Sequence, residues 1–378
     1  MRTQADPEPK IDALIRESRV LVTVGAGGVG KTTSAAAIAV RAACQGRRVL
    51  CLTVDPAKRL AESLGLREMS TEETTVDTGR FTEAGIECKG SLTVMMLDTK
   101  QTFDTLVKRT ASSPAAAERI FNNRLYKYLS GSLAGTQEYM AMEKLTTVRH
   151  DPRFDLVVLD TPPTANALDF LDAPERLVNA LDSAAIRWIL SAFSTSGKFS
   201  LNLVAKSAQI VLQTVGKITG GRFLEELSKL VVDLSDLFKG FRERALSVQS
   251  ELRAKDVAFL LVSSAQPMSL KEILYFADRL DEAKLRRAGF IVNRVRTLPS
   301  VEVDAMNVGL PREIEGIDRA KISRAWSEEN ELARADQDSM RVLESKRARG
   351  ETVYQVPESP VGVSDLKLLV WLGNQLAH

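Results

Sequence analysis

Residues 25–32 place glycines, a lysine and a threonine in the spacing of a phosphate-binding loop. They read GAGGVGKT and match the pattern G-x-x-x-x-G-K-[ST]. Glycines let successive backbone N–H groups face phosphate oxygens, and the helix that follows adds the positive end of its dipole. Lys31 can reach the β and γ oxygens of a nucleotide, and Thr32 can offer its hydroxyl to Mg²⁺. The expected nucleotide-binding residues of this loop are Gly27, Gly28, Val29, Gly30, Lys31, Thr32 and Thr33.

Two carboxylates follow apolar segments elsewhere in the chain. Asp160 ends the run LVVLD at residues 156–160, an arrangement that places an acidic group beside a magnesium ion. Asp55 follows the apolar run 48–54 and can orient an attacking water; because Pro56 comes next, it can equally begin a helix, and the two roles are compatible. We therefore take Lys31, Asp55 and Asp160 as candidate catalytic residues, with Thr32 and, through water, Asp160 as candidate Mg²⁺ ligands.

The elements that must position these residues alternate between strand and helix. Short apolar runs typical of strands buried on both faces occur at 20–24, 48–54, 92–97, 156–160, 257–262 and 289–295, with a further edge strand at 352–356. Helical patterns follow the first two runs, at 33–43 and 57–64. This alternation predicts an α/β fold with a doubly wound, mainly parallel sheet.

Two stretches are too long to be single crossover helices and are interpreted as a helical insertion. The predicted division assigns residues 11–100, 151–190 and 255–378 to a P-loop core, residues 101–150 and 191–254 to an inserted helical subdomain, and residues 1–10 to a disordered tail. The segment 68–90 is rich in Thr, Glu and Gly and is expected to loop across the surface.

One helix of the insertion carries an apolar stripe at steps of three and four residues. Its candidate members are Phe223, Leu227, Leu230, Leu234, Leu237 and Phe241. Such a stripe can pack against neighbouring helices of the same subdomain, or it can form a groove for an apolar segment of a client protein. Both interpretations stay open on the sequence.

Composition excludes several classes of function. With 51 basic and 49 acidic residues the formal charge is 51 − 49 = +2, so nucleic acid is not an expected partner. No apolar run reaches the ~18 residues of a membrane span, and the polar N-terminus has no signal-like segment, so a cytoplasmic protein without a transmembrane segment is expected. Three cysteines without a C-x-x-C pair and only two histidines leave no zinc site or His-based triad.

Three motifs resemble those of the ArsA-type ATPases, the family of arsenite-pump subunits and of targeting ATPases for tail-anchored membrane proteins. They are GAGGVGKTT at 25–33, DPAKRL at 55–60, which is similar to the family's switch I, and DTPPTANALDFL at 160–171, which is similar to its switch II. The stretch IVNR at 291–294 and the Val-Pro pair at 356–357 resemble the family's adenine-side elements.

The resemblance implies ATP and Mg²⁺ as ligands and a nucleotide-gated dimer whose helical subdomain handles a client protein or membrane-associated partner. It implies that Asp55 positions the hydrolytic water, that Thr32 and Asp160 serve the metal, and that Asn293, Arg294 and Pro357 lie on the adenine side. The second possible function is a nucleotide-binding regulatory or scaffold subunit with little hydrolysis, and a third, less favoured one is a small-molecule kinase.

The chain departs from the family pattern at Ala26, where the family has a lysine that reaches the partner subunit's nucleotide. Alanine cannot neutralise phosphate charge. Two solutions stay open: a heterodimer with a lysine-bearing paralogue in place of a homodimer, or a substitute cation such as Lys58 or Arg59. The thiolate cluster of the arsenite pumps and the C-x-x-C zinc site of the eukaryotic targeting ATPases are also missing.

Overall fold

The computed structural model describes most of the 378 residues. The described residues are 10–54, 58–64, 66, 68–123, 126, 136–161, 172–173, 175–176, 179, 240–297, 319–358 and 365–377. The chain divides into two compact units. The first contains residues 1–96, 151–168 and 255–378, and the second contains residues 97–150 and 169–254.

The described part of the first unit is built on one sheet of eight strands. The strands are β1 (Val20–Val24), β2 (Arg48–Thr53), β3 (Thr74–Thr75), β4 (Ser91–Met96), β5 (Leu156–Asp160), β6 (Val257–Ser264), β7 (Arg287–Val295) and β8 (Thr352–Pro357). Their order across the sheet is β3-β4-β2-β5-β1-β6-β7-β8. All neighbours are parallel except β3 and β4, so the prediction of a doubly wound, mainly parallel sheet is confirmed.

Helices connect these strands. Those of the first unit are α1 (Lys10–Glu17), α2 (Lys31–Cys44), α3 (Lys58–Ser63), α4 (Thr78–Glu83), α9 (Pro267–Glu282), α10 (Arg319–Lys346) and α11 (Leu366–Gln375). In the second unit they are α5 (Thr99–Thr110), α6 (Pro114–Asn122), α7 (Thr136–Arg149) and α8 (240–252). No helix among the described residues is long and apolar enough to cross a membrane.

The central strand and the helix after it show why this sequence folds as a layered sheet. All five residues of β1 are buried, which suits a strand covered on both faces. This explains why four of its five residues are apolar, Thr23 being the exception. Alanine-rich α2 has high helix propensity, and its small side chains let it pack closely: ten of its residues are buried. The result is a rigid strand-to-helix connection at residues 25–30.

Two predictions about local structure need correction. The segment 68–90 is not only a surface loop, because it contains β3 and α4; Asp77 begins α4 by accepting a hydrogen bond from the Gly79 N–H at 2.9 Å. A two-residue antiparallel strand has too few residues to show any periodicity. Lys10, which was predicted to lie in the tail, is the first residue of α1.

The second unit is helical in its described part and contains a buried ion pair. Arg244 Nε donates to both carboxylate oxygens of Glu143, at 2.9 and 2.8 Å, and its Nη2 donates to Thr146 Oγ1 at 2.8 Å. Glu143 is 3% exposed, so this ion pair, with its bifurcated hydrogen bond, compensates the cost of burying the carboxylate charge. It joins α7 to α8 within the unit. The domain boundaries expected from the sequence stay a prediction.

Candidate functional site

The phosphate-binding loop leaves β1 at the carboxyl edge of the sheet and ends at the first residue of α2. Gly25 has φ +158°, and a Cβ there would lie 2.0 Å from the Val262 carbonyl oxygen of β6. Gly30 is the N-cap of α2 at φ +94°, and a Cβ there would lie 2.6 Å from Asn293 Nδ2. Glycine is needed at both positions because it has no Cβ. The close approach of Val262 and of Asn293 therefore restricts the residue type at each end of the loop.

Lys31 and Thr32 begin α2 and lie at this loop. Lys31 is 6% exposed, and its Nζ donates to the Ala26 carbonyl oxygen at 2.7 Å. The Lys31 ammonium group is therefore held against the backbone of the phosphate-binding loop. Thr33, in the same turn, is exposed.

Asp160 meets Thr32 from the end of the neighbouring strand β5. Its Oδ2 accepts hydrogen bonds from Thr32 Oγ1 at 2.6 Å and from Thr53 Oγ1 at 3.1 Å. Asp160 is 2% exposed. Burial, and then this nearby charge, raise the pKa of the Cys51 thiol to about 12, so that Cys51 stays a neutral thiol beside the site.

Thr53 is a site residue that the sequence did not indicate. It is the last residue of β2 and pairs in register with Asp160, because β2 is the neighbour of β5. A threonine at the end of a buried strand gives no signal of its own. Its proximity to Asp160 becomes evident only once the strand order is known.

Asn293, near the end of β7, contacts the phosphate-binding loop directly. Its Nδ2 donates to the Val29 carbonyl oxygen at 2.8 Å and to Ser34 Oγ at 3.1 Å. The side chain is 8% exposed. Asn293 therefore ties β7 to the loop and to the first turn of α2.

A cavity of about 220 Å³ opens beside the loop. Its lining comes from the loop, the β6–α9 connection, the end of β7, α10 and the segment after β8, namely Gly27, Gly28, Val29, Ser264, Ala265, Gln266, Ser269, Arg294, Arg296, Asp336 and Glu358. Pro357 precedes this last segment and pairs in register with Val295. Arg294 thus lines the same cavity as the loop glycines. Pro357 is the last residue of β8, the strand next to β7.

Other predicted residues fall elsewhere. Asp55 and the stripe positions Phe223, Leu227, Leu230, Leu234 and Leu237 lie outside the described residues, as do the side chains of Lys58 and Arg59. Phe241 is described: it is 4% exposed and packs edge-on against Phe103, with ring centroids 6.0 Å apart. Within the described part of the stripe, Phe241 is thus a packed side chain of the second unit.

Oxygen donors dominate the loop and the strand ends around it. Thr32 and Asp160 supply a hydroxyl and a carboxylate, which are the donor types that Mg²⁺ prefers. Among the described residues no group of three or more His, Cys, Asp or Glu side chains could hold a metal. In nucleotide sites Mg²⁺ commonly takes one or two oxygen ligands from the protein and the others from phosphate and water.

Comparison with known proteins agrees with this geometry. The model of the family described as "Anion-transporting ATPase" matches residues 18–315. The ATPase get3 of Aspergillus terreus is 26% identical over 292 residues, which cover 76% of this chain and 77% of that protein. The ATPase get3 of Aspergillus niger is 25% identical, covering 76% of each chain. This chain belongs to the ArsA-type, anion-transporting ATPase family and is a P-loop ATP hydrolase.

Proposed function

We propose that this ATPase uses Mg²⁺-dependent ATP hydrolysis to switch a dimer that handles a client protein or partner through its helical unit. The observation that carries the nucleotide part is the hydrogen bond of 2.6 Å from Thr32 to Asp160. It brings a hydroxyl of the phosphate-binding loop and a strand-end carboxylate together at the carboxyl edge of a parallel sheet. Ligands bind at this edge in doubly wound folds.

Thr32 and Asp160 are the residues that would hold the metal, with Asp160 acting through water. When bound, Mg²⁺ would neutralise charge on the β and γ phosphates. Thr53 keeps the Asp160 carboxylate in place by donating to the same oxygen that Thr32 contacts. This shared oxygen links the loop to two strand ends.

Lys31 would bind the β and γ phosphate oxygens. In the structure its ammonium donates to the Ala26 carbonyl oxygen, so binding would exchange a neutral acceptor for a charged one. Backbone N–H groups of the loop and the N-terminus of α2 would surround the phosphates. The charged part of the nucleotide would therefore lie against Gly27 to Thr33.

Asn293 would support the adenine side of the site. Both hydrogens of its amide point to acceptors within the protein, Val29 O and Ser34 Oγ. Its carbonyl oxygen is then the atom left to accept a hydrogen bond, which suits the 6-amino group of adenine better than the 6-oxo group of guanine. The proposal therefore includes ATP, rather than GTP, as the nucleotide.

Replacement of Asn293 by alanine should weaken ATP binding about 10-fold, because the buried Val29 carbonyl would lose a hydrogen bond worth ~1 kcal/mol or more. Titration calorimetry with ATP measures this. Ser34→Ala is the matched control, since it removes one acceptor of Asn293 and leaves the bond to Val29. Unchanged affinity in Asn293→Ala would show that this amide does not shape the loop.

Dimer formation, client handling and a cytoplasmic location belong to the proposal as well. The resemblance of the three motifs to ArsA-type targeting ATPases supports a dimer and an apolar client. The three free cysteines suit the reducing cytoplasm. Because Ala26 replaces the lysine that would reach the partner's nucleotide, the partner is either a second copy with another cation or a lysine-bearing paralogue.

A regulatory or scaffold subunit with little hydrolysis of its own is the second candidate, favoured by Ala26. The contact of Thr32 with the strand-end carboxylate of Asp160 supports the hydrolytic candidate, because phosphoryl transfer uses an acidic group beside its magnesium ion.

MgATP turnover by the purified chain, with Asp55→Asn as the diagnostic variant, tests the proposal. We expect the variant to lose about 10²-fold in turnover while ATP affinity stays near that of the wild type, because a water-orienting carboxylate acts in the chemical step. Tight ATP binding without turnover by the wild type would instead favour the scaffold, or a requirement for a lysine-bearing partner or an activating client.

A further inference from the structure

The phosphate-binding loop of this chain is short of positive charge. Residues 25–33 contain one cation, Lys31, and the position that carries a second lysine in related loops is Ala26. ATP is a polyanion, so each missing cation leaves phosphate charge to be compensated by another group. If the same subunit supplies that group, it must come from an element that lies beside the loop.

Arg294 lies near the end of β7 and lines the cavity beside the loop. Its φ is +58°, an uncommon value for a side chain larger than glycine, and the register of β7 against β8 shifts between Asn293 and Val295. Successive residues of a strand normally point to opposite faces. Here Asn293 donates to Val29 and the next residue, Arg294, lines the cavity beside the same loop, at the position of this irregularity.

The surroundings of Arg294 leave its charge available. It is exposed and lines the 220 Å³ cavity together with Gly27 and Gly28. The other arginine of the cavity lining, Arg296, is tied to carboxylates: its Nε lies 3.2 Å from Glu329 Oε1, and its backbone N–H donates to Asp336 Oδ2 at 2.9 Å.

Two carboxylates line the same cavity, Asp336 and Glu358. Asp336 is engaged by Arg296. Within the part of the chain that the structure describes, Glu358 forms no ion pair with Arg294. Of the cations in the described lining, Arg294 is therefore the one that no carboxylate holds.

We propose that Arg294 binds the β and γ phosphates of the nucleotide in its own subunit and supplies charge that Ala26 cannot. A guanidinium group is suited to this because its planar fork can donate two parallel hydrogen bonds to phosphate oxygens. This inference rests on the proposed ATP site. It gives Arg294 a role at the phosphates and not at the adenine.

The test compares Arg294→Gln and Arg294→Lys with the wild type in calorimetric titrations with ATP and AMP at low salt. Arg294→Gln should weaken ATP binding about 10-fold and change AMP binding less than about twofold, because AMP lacks the β and γ phosphates. Arg294→Lys should recover part of the ATP affinity. Added NaCl should weaken ATP binding to the wild type more than to Arg294→Gln.

Arg349→Gln is the matched control, since it removes one exposed arginine at the amino edge of the sheet, just before β8. Its ATP affinity should equal that of the wild type. Equal loss of ATP and AMP affinity in Arg294→Gln, or no loss beyond that of Arg349→Gln, overturns the assignment. If Lys31→Ala abolishes ATP binding while Arg294→Gln does not weaken it, only the Arg294 role fails; a wild type that binds no ATP refutes the site itself.

Discussion

Lys31→Ala is expected to lower MgATP turnover by about 10³-fold, the largest effect of any single change in the loop. Lys31 is 6% exposed and its ammonium group donates to the Ala26 carbonyl oxygen, so in the proposed site it lies within the loop that would hold the phosphate charge. A preorganised cation in a site closed to water stabilises that charge far better than solvent does. ATP affinity should fall in parallel, because the same group contacts the ground state.

Steady-state phosphate release, measured beside the thermal midpoint of unfolding, separates this effect from misfolding. The substitution removes, among other interactions, the hydrogen bond to the Ala26 carbonyl oxygen, and such a bond contributes about 1 kcal/mol of stability. Lys89→Ala is the matched control, because Lys89 is a surface lysine with a side chain 62% exposed. Turnover of Lys31→Ala near that of Lys89→Ala would exclude Lys31 from catalysis.

Asp160→Asn should reduce turnover by about 10²-fold or more and raise the Mg²⁺ concentration required for half-maximal activity at least about 10-fold. The substitution keeps the shape of the side chain and removes its charge. Asparagine can still accept the hydrogen bond from Thr32 or Thr53 through its carbonyl oxygen, so the fold should survive. Removal of divalent metal by a chelator should stop turnover of the wild type.

Asp155→Asn provides the control at the opposite end of β5. Asp155 is held there by Arg48, whose Nη2 lies 2.6 Å from its Oδ1, in a solvent-exposed pair that contributes little to stability. Loss of the Asp155 charge should leave the Mg²⁺ dependence of turnover unchanged. A Mg²⁺ titration of Asp160→Asn that superimposes on that of Asp155→Asn would remove Asp160 from the metal site.

The position of Ala26 makes these measurements informative about the partner as well. If the chain hydrolyses ATP alone and loses activity in Lys31→Ala and Arg294→Gln, its own cations suffice. If it binds ATP without turnover, addition of a lysine-bearing paralogue should restore hydrolysis in a heterodimer. The two results distinguish a substitute cation in this chain from a lysine that a partner subunit supplies.

The phosphate-binding loop could be predicted from the sequence because its chemistry is local. An apolar strand, glycines at fixed spacing and the first turn of a helix occupy residues 20–44, and each depends on neighbours a few residues away. The short continuous apolar runs likewise predicted β1 and β5 at their observed bounds. Local backbone preference and burial on both faces are enough to determine such elements.

The meeting of Thr32, Thr53 and Asp160 could be anticipated only in part. The sequence placed Thr32 and Asp160 near a common metal, but it offered no reason to include Thr53. Thr53 lies 107 residues from Asp160 along the chain and reaches it because β2 and β5 are neighbours. Strand order depends on hydrogen bonding and packing between segments that are distant in the sequence. The residue pattern within one strand does not predict it.

Sequence alone therefore determined the loop, the parallel sheet and the identity of the chemical groups. Tertiary structure decided which of those groups meet. Asn293 donates a hydrogen bond to Val29 across 264 residues, and Arg294 lines the cavity beside the same loop. Both placements depend on contacts between segments that are far apart in the sequence and meet only when the chain is folded.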